Sequence, residues 1–199
     1  MDLLIGTSNA GKLHEFEVML ASLPLRLLSL KDVGLGDVEV EENATTLEDN
    51  ARLKAEAYAK ASGYQTLADD TGLYVDALDG APGIYPARYG GPGLTMAQRR
   101  QKLLGELVGV ADEQRMAAFA CVIALAEPGK SDITIVKGVC KGRIAQAESD
   151  GGRGFGYDPV FIPEGYTQSF SDIGEDEKNR ISHRGRAAAL IVPILGERI

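Results

Sequence analysis

Residues 6–12, Gly-Thr-Ser-Asn-Ala-Gly-Lys, have the glycine and lysine types of a phosphate-binding loop. In a Walker A loop, a Ser or Thr follows the lysine, and its hydroxyl holds the Mg²⁺ of the bound nucleotide. Here Leu13 follows Lys12. Any metal that accompanies bound phosphates must therefore be held by other side chains. The alternative interpretation, an ordinary turn between strand and helix with a solvated lysine, stays open on this segment alone.

Two acidic pairs are candidates for that metal site. Asp69 and Asp70 follow an apolar run that is predicted to be a strand, and Glu41 and Glu42 precede a predicted helix. Mg²⁺ is typically held by one or two carboxylates, phosphate oxygens and water. Successive side chains on a strand face opposite sides, so we expect one aspartate to face the site and the other to have a structural role, for example as a cap of the following turn. Two turn residues and a solvated acidic edge are the simpler alternatives.

Positive charge is concentrated near the C-terminus of an otherwise acidic chain. Directly after the acidic run 172–177 come Lys178, Arg180, His183, Arg184 and Arg186. We expect Ser182 to cap the next helix, which would gather hydrogen-bond donors at a helix N-terminus. Residues 151–159 place two aromatic residues among glycines, which permits close backbone approach and stacking of a flat ring. A solvated charged helix and ordinary burial of the aromatics are the alternatives.

Composition excludes several classes of protein. With 199 residues and 44% hydrophobic content, the chain is expected to form one globular unit. A net charge of -8 argues against broad nonspecific binding to nucleic acid. We find no signal-peptide pattern, and the longest apolar stretch, 117–126, is too short to span a bilayer, so we expect a soluble cytoplasmic protein. Cys121 and Cys140 lack metal-ligand spacing and are predicted to be buried free thiols.

Hydrophobic periodicity predicts alternating strands and helices. Strands are predicted at 1–5, 25–30, 38–41 and 65–70, helices at 13–23, 46–63 and 95–107, and a hairpin at 117–126 and 133–145. In the second helix, Thr46 is the predicted N-cap with Asp49 in the capping-box position, and Gly63 is the predicted end. Because parallel βα units precede an antiparallel pair, the predicted fold class is α/β with a mixed sheet.

Taken together, six segments resemble the inosine triphosphate pyrophosphatase family, whose members hydrolyse non-standard purine nucleoside triphosphates. The segments are T-S-N-A-G-K at 7–12, E-E-N-A-T-T-L-E-D-N-A at 41–51, L-A-D-D-T-G-L at 67–73, G-A-P-G-I-Y-P-A-R-Y at 80–89, F-G-Y-D-P-V-F at 155–161 and E-K-N-R-I-S-H-R-G-R-A at 177–187. Their common order makes coincidence implausible. Asp49, Thr71 and Arg186 replace the family's usual Glu, Ser and Lys, and each change preserves charge or hydroxyl chemistry.

The resemblance implies an elongated mixed parallel/antiparallel sheet flanked by helices, with two lobes around a central cleft. It implies a single nucleoside-triphosphate pyrophosphatase domain over residues 1–199 that forms a homodimer and acts on a nucleotide rather than on nucleic acid or a membrane. The implied reaction is hydrolysis of ITP, dITP or XTP to the monophosphate and pyrophosphate, with Mg²⁺, or Mn²⁺, as the cofactor.

The resemblance also implies roles for individual residues. The triphosphate would be held by Thr7, Ser8, Asn9, Ala10, Gly11 and Lys12, with a further phosphate contact from Lys54. Glu42 and Asp70 would take the metal, with Asp70 also the general base for water. Contacts to nucleoside and phosphates would come from Thr71, Phe155, Gly156, Tyr157, Asp158, Lys178, His183 and Arg184. The roles of Asp69 and Arg88, the rejection of GTP, the sugar preference, the dimer interface and the preferred metal are left undetermined.

Other functions are compatible with parts of the pattern. A P-loop kinase or ATPase would use residues 67–70 as its Walker B strand, although Leu13 argues against it. A nucleotide-binding module without catalysis is a second alternative. A related pyrophosphatase that acts on pyrimidine nucleotides is a third, and the reaction products and substrates distinguish all of them.

Overall fold

The computed structural model describes all 199 residues. In chain order the strands and helices are β1 (Asp2–Ile5), α1 (Ala10–Leu20), β2 (Arg26–Ser29), α2 (Leu47–Ser62), β3 (Thr66–Val75), β4 (Pro82–Gly83), α3 (Met96–Glu106), β5 (Met116–Ala126), β6 (Thr134–Ile144), β7 (Phe161–Pro163), α4 (Glu175–Ile181) and α5 (His183–Gly196). Short 3₁₀ turns lie at Asp76–Leu78, Pro86–Arg88, Asp112–Gln114 and Asp158–Val160. None of the helices combines the length and the apolar content that a membrane crossing requires.

The strands hydrogen-bond in the order β2-β1-β3-β5-β6-β7, and β4 pairs with β3. β1 is parallel to β2 and β3, whereas β4 is antiparallel to β3 and β7 is antiparallel to β6. The predicted α/β fold with a mixed sheet and flanking helices is therefore confirmed. The strands of the predicted hairpin, β5 and β6, are neighbours in the sheet. The two-lobed arrangement around a cleft stays a prediction.

The chain forms two compact units. The first contains residues 1–70, 121–138 and 184–199, and the second contains residues 71–120 and 139–183. β3, β5 and β6 each begin in one unit and end in the other. The assignment of residues 1–199 to one pyrophosphatase domain stays a prediction.

In the first unit, β1, β3 and β5 share a core with α1 and α5. The fully buried members include Leu3, Ile5, Phe16, Leu67, Cys121, Ile123, Ile191 and Leu195. α1 contributes because its apolar side chains recur at helical spacing on one face. A smaller cluster packs Tyr58 of α2 against Leu4, Leu28 and Leu30. Both cysteines are free and buried, as predicted.

In the second unit, aromatic side chains form the centre of the core. The rings of Phe119, Phe161 and Phe170 pack together, with the Phe161 centroid 4.7 Å from that of Phe119 and 5.2 Å from that of Phe170. Arg115 is also buried there, with 1% of the residue exposed. Its guanidinium donates to three backbone carbonyls, of Leu107 (2.7 Å), Ile144 (2.8 Å) and Ala145 (2.7 Å).

α2 begins and ends at the predicted residues. The Thr46 hydroxyl accepts a hydrogen bond from the backbone N–H of Asp49 (3.1 Å) and donates to the Asp49 carboxylate (2.7 Å). Gly63 ends the helix with φ +75°, a conformation that glycine adopts without steric cost. These caps fix the position of the helix that carries Lys54.

The predictions for two strands are wrong, one in its existence and the other in its length. Residues 38–41 form no strand, because the Val38 carbonyl accepts from the Tyr58 hydroxyl (3.0 Å) and Val40 packs against the Tyr58 cluster. The strand predicted to end at Asp70 continues to Val75, since β3 pairs with β4 beyond that point. Gly72 permits this pairing, because a Cβ there would lie 2.9 Å from the Gly83 carbonyl oxygen.

We expect Arg115→Lys to lower the free energy of unfolding by about 2 kcal/mol or more, since an ammonium cannot reach all three buried carbonyls. Arg26→Lys is the matched control, because the Arg26 side chain is 71% exposed. Its effect should stay within about 0.5 kcal/mol. Chemical denaturation of both variants measures the difference, and equal stabilities would contradict a structural role for the Arg115 hydrogen bonds.

Candidate active site

α1 begins within the predicted phosphate loop, and Asn9 is its N-cap. The Asn9 side chain accepts from the backbone N–H groups of Gly11 (2.9 Å) and Lys12 (3.1 Å). The backbone N–H of Asn9 donates to the Thr7 hydroxyl (3.2 Å). Two amides that would face phosphate in a Walker A loop are thus bound to a side chain. No acidic residue lies in the first turn of α1 itself.

Asp69 lies at the centre of a buried ion network in the first unit. Its Oδ2 atom is 3.0 Å from the Lys12 ammonium and accepts from Arg184 Nη2 (3.0 Å) and Nε (3.3 Å). Arg184 Nη1 donates to Glu15 (2.5 Å), and the Cys121 thiol lies 3.7 Å from the same Asp69 oxygen. The Asp69 and Arg184 side chains are 0% and 2% exposed. The example given for its structural role, a cap of the following turn, is wrong, because β3 continues past Asp69.

The charges of this network stabilise one another. Burial raises the pKa of Asp69, but the nearby charges of Lys12 and Arg184 outweigh burial and hold that pKa well below its ordinary value. Burial lowers the pKa of Arg184, and Asp69, Cys121 and Glu15 more than reverse that effect. Asp69 is therefore a carboxylate and Arg184 a cation at neutral pH.

Asp70 has a different cationic partner. Lys54 Nζ lies 3.3 Å from Asp70 Oδ1 and 3.2 Å from Glu42 Oε2. Burial lowers the pKa of Lys54, but the charges of Asp70, Asp69 and Glu42 raise it above its ordinary value. Burial raises the pKa of Asp70, and the opposing charges of Lys54 and Lys12 do not bring it back to the ordinary value. The two adjacent aspartates thus have pKa values shifted in opposite directions.

Glu42 and Asp70 suit a divalent cation. Both carboxylates lie within 3.3 Å of one nitrogen atom, so the chain brings them to a common position despite their separation in sequence. Asp70 Oδ2 is buried without a hydrogen-bond partner, and a bound cation would satisfy it. No group of three or more His, Cys, Asp or Glu side chains is arranged to hold a metal. Two carboxylates are enough for Mg²⁺ when phosphate oxygens and water complete its coordination.

A second group of predicted residues lies in the second unit. Lys178 Nζ is 2.6 Å from Asp158 Oδ2, and both side chains are buried. The same oxygen accepts from the Phe155 backbone N–H (2.8 Å), and the Lys178 ammonium lies 5.0 Å from the centroid of the Phe155 ring. Gly154 has φ +73°, and a Cβ there would lie 2.2 Å from Asp158 Oδ2. The glycine therefore allows the turn to close around this carboxylate.

The aromatic residues of this group differ in burial. Tyr157 belongs to the core of the second unit, and its hydroxyl donates to the Pro86 carbonyl (2.9 Å). Burial raises the pKa of Tyr157 to about 12. Phe155 is half-buried. The buried His183 ring stacks on Phe119, with centroids 4.5 Å apart and planes 12° apart.

The other predicted residues lie at or near the surface. Thr7, Gly11, Thr71 and Gly156 are half-buried, and Ser8, Asn9, Ala10 and Arg88 are exposed. Sequence reasoning missed Glu15. It lies three residues after Lys12 and next to Phe16 on the buried stripe of α1. An acid on the apolar face of a helix is the signal that would have indicated a buried cation as its partner.

Comparison with known proteins identifies the family of this chain. The model of the Ham1 family matches residues 3–194. The chain belongs to the Ham1 family. A dITP/XTP pyrophosphatase of Geobacter sulfurreducens is 45% identical over 194 residues, which cover 98% of this chain and 96% of that protein. A dITP/XTP pyrophosphatase of Oceanobacillus iheyensis is 41% identical over 185 residues, 93% of each chain.

Solved structures of Ham1 proteins show the same fold. The HAM1 protein of Coxiella burnetii superposes with a TM-score of 0.87, at 36% identity and with 99% of both chains covered. The Ham1 protein of Staphylococcus aureus gives a TM-score of 0.85 at 35% identity, with both chains covered completely. The family resemblance inferred from the six sequence segments is therefore confirmed.

We expect Lys54→Met to destabilise this Ham1-family protein by about 3 kcal/mol at pH 7, because two carboxylates lose their shared buried cation. The loss should grow with pH. Without Lys54, the pKa of Asp70 in the folded protein rises further above its value in the unfolded chain. Protonated Asp70 therefore favours the folded state below the ordinary carboxyl pKa of about 4, and this contribution to stability is lost as pH rises through the folded pKa. Thermal unfolding at several pH values measures this.

Lys60→Met is the control, because Lys60 is an exposed lysine of the same helix. At pH 7, Mg²⁺ should raise the melting temperature of Lys54→Met more than that of the unmodified chain, since the metal replaces the missing positive charge. Equal shifts in both proteins would contradict Glu42 and Asp70 as metal ligands.

Proposed function

We propose that this chain hydrolyses ITP, dITP and XTP to the nucleoside monophosphate and pyrophosphate. The observation that carries the proposal is the charge network of the first unit, in which Lys12 lies beside Asp69 and Lys54 lies beside Glu42 and Asp70. The names of the Geobacter and Oceanobacillus relatives support the same substrates.

In this proposal, Lys12 and Lys54 bind the phosphates of the substrate. Cleavage between the α and β phosphorus atoms requires an activated water and neutralisation of charge on the leaving pyrophosphate. Lys12 lies at the start of a helix whose positive dipole end favours an anion, and the loop side chains from Thr7 onward add donors. Lys54 contacts phosphate when its carboxylate partners take up another cation. Mg²⁺ or Mn²⁺ held by Glu42 and Asp70 would supply that cation and lower the pKa of a bound water.

Asp70 is the proposed general base. Its pKa lies above the ordinary aspartate value, which makes it a stronger base than an exposed aspartate. Its buried Oδ2 atom has no hydrogen-bond partner within the protein, so that oxygen is available to a water or a cation. Adjacent Asp69 does not compete for this role, because Lys12 and Arg184 lower its pKa.

The nucleoside side of the proposal uses the cationic and aromatic residues near the C-terminus. We assign contacts with nucleoside and phosphates to Thr71, Phe155, Gly156, Tyr157, Asp158, Lys178, His183 and Arg184. Hypoxanthine and xanthine present a 6-oxo acceptor, whereas adenine presents an amino donor. A donor such as His183 would favour the oxo group, and a site built around such a hydrogen bond discriminates by about 10⁴-fold or more.

The proposal includes a homodimer that acts in the cytoplasm on free nucleotides, without nucleic acid as a partner. Exposed apolar side chains support self-association. In the second unit, Val108 is 81% exposed and Tyr85 is 46% exposed. The net charge of -8 disfavours nonspecific contact with nucleic acid.

A panel of ITP, dITP, XTP, GTP, ATP and dUTP, assayed with Mg²⁺ for pyrophosphate and orthophosphate, tests the reaction. We expect ITP, dITP and XTP to give pyrophosphate and a monophosphate with kcat/KM at least about 100-fold above that for ATP. Orthophosphate as the product would support the kinase or ATPase alternative. Binding of ITP without cleavage would support a non-catalytic module, and a preference for dUTP would support the pyrimidine alternative.

We expect Asp70→Asn to lower kcat for ITP by at least about 100-fold, since a positioned general base contributes roughly 10² to 10⁴. The fold should persist, because asparagine has nearly the same shape as aspartate and Lys54 keeps Glu42 as a partner. Asp76→Asn, at an exposed aspartate in the turn after β3, is the control and should keep full activity. Turnover retained in Asp70→Asn, together with a cooperative melt, would remove Asp70 from catalysis.

A further inference from the structure

Asp69 is the most buried carboxylate of the network and takes no part in the proposed hydrolysis. We infer that Asp69 is a positioning residue: its carboxylate holds the Lys12 ammonium at the start of α1, ready for the phosphates of the nucleotide. The inference rests on the proposed function, because it assigns a role to the phosphate contact of Lys12.

The position of Lys12 is unusual for a lysine near a helix N-terminus. A lysine side chain has a flexible stem of four carbons and a strongly hydrated ammonium, so it normally extends into water. The Lys12 side chain is 16% exposed, and its ammonium lies 3.0 Å from a carboxylate that is 0% exposed. Its remaining N–H groups are those that a phosphate would engage. The ion pair therefore fixes the cation before substrate arrives, which removes the need to order it during the reaction.

The carboxylate that holds Lys12 is itself fixed. Arg184 donates to Asp69 Oδ2 through both Nε and Nη2, and its Nη1 donates to Glu15. Arg184 lies on α5 and Glu15 lies on α1. These two helices share a core with β3. A planar guanidinium with two carboxylate partners holds its geometry better than a flexible chain does. Lys12 is thus connected to rigid elements through a short series of ion pairs.

A purely structural role requires a second cation beside Asp69, because Asp69 and Glu15 share Arg184, but it does not require that cation to be Lys12. Arg184 already has Glu15 as a second partner, so it is compensated from two sides. Balancing the charge of Asp69 likewise requires a cation but not one at the end of the phosphate loop. The placement of the second cation at that loop distinguishes positioning from simple charge balance.

A double-mutant cycle tests the inference. Asp69→Asn, Lys12→Met and the double variant are titrated calorimetrically with inorganic tripolyphosphate, and kcat and KM for ITP are measured with Mg²⁺. We expect Asp69→Asn to weaken tripolyphosphate binding and to lower kcat/KM by about 10- to 100-fold, the scale of a misplaced catalytic group. In the Lys12→Met background, the same substitution should change tripolyphosphate affinity less than about twofold.

The control is Glu17→Gln, which removes a negative charge from an exposed position of α1 and should leave both quantities unchanged. Equal effects of Asp69→Asn with and without Lys12 would overturn the inference, as would unchanged binding in Asp69→Asn. If the unmodified chain binds tripolyphosphate but does not hydrolyse ITP, the proposed function fails while the binding cycle still decides the role of Asp69.

A measurement on the unmodified chain covers the case in which Asp69→Asn does not fold. ¹⁵N NMR of the lysine ammonium groups compares Lys12 with the exposed Lys60. We expect slow hydrogen exchange at the Lys12 ammonium and a shift of its signal on addition of tripolyphosphate. Exchange as fast as that of Lys60 would show that Asp69 does not hold Lys12 in solution and would overturn the inference.

Discussion

Two consecutive carboxylates stay charged when buried only if each has a cation as a partner. Asp69 and Asp70 lie next to each other in β3, and the alternation of the strand sends them to different partners. Lys12 and Arg184 compensate Asp69, whereas Lys54 compensates Asp70 and shares itself with Glu42. The cost of burying an unpaired charge makes these partners obligatory. The same pairing separates the pKa values of the two aspartates and leaves the upward-shifted one beside a shared lysine.

This requirement connects segments that are distant along the chain. Arg184 reaches Asp69 across 115 residues, and its other carboxylate, Glu15, is 169 residues away. α1, β3 and α5 must therefore pack together before the charges are balanced, and the apolar core around Phe16, Leu67 and Ile191 provides that packing. Hydrophobic burial brings the elements together, whereas the ion pairs specify their register. A shift of β3 by one residue would turn Asp69 and Asp70 each to the opposite face, away from its own partners, and move the apolar side chains to the wrong face.

Local sequence signals predicted most of the elements but not the ion pairs. Helical spacing and the residues Thr46 and Gly63 predicted α2 with its two ends, because caps depend on neighbours in sequence. The strand predicted at residues 38–41 does not form. Its alternation of apolar and polar residues also fits an irregular segment whose Val38 carbonyl accepts from the Tyr58 hydroxyl. The family resemblance named Glu42 and Asp70, and the structure places both beside Lys54. The partners of Asp69 were not predictable from spacing, since they come from a helix start and a helix more than a hundred residues on.

Leu13 explains why this loop differs from a Walker A loop. Its side chain packs against the core of the first unit, on the same face of α1 as Phe16. A hydroxyl at this position would exchange that apolar contact for a polar group, which costs free energy unless it finds a partner. Asn9 meanwhile uses the amides of Gly11 and Lys12 to cap the helix. Leu13 therefore packs in the core, and two amides of the loop bind the Asn9 cap. The loop retains the Lys12 ammonium as its cation. The carboxylates of Glu42 and Asp70 are the remaining candidates to hold a metal.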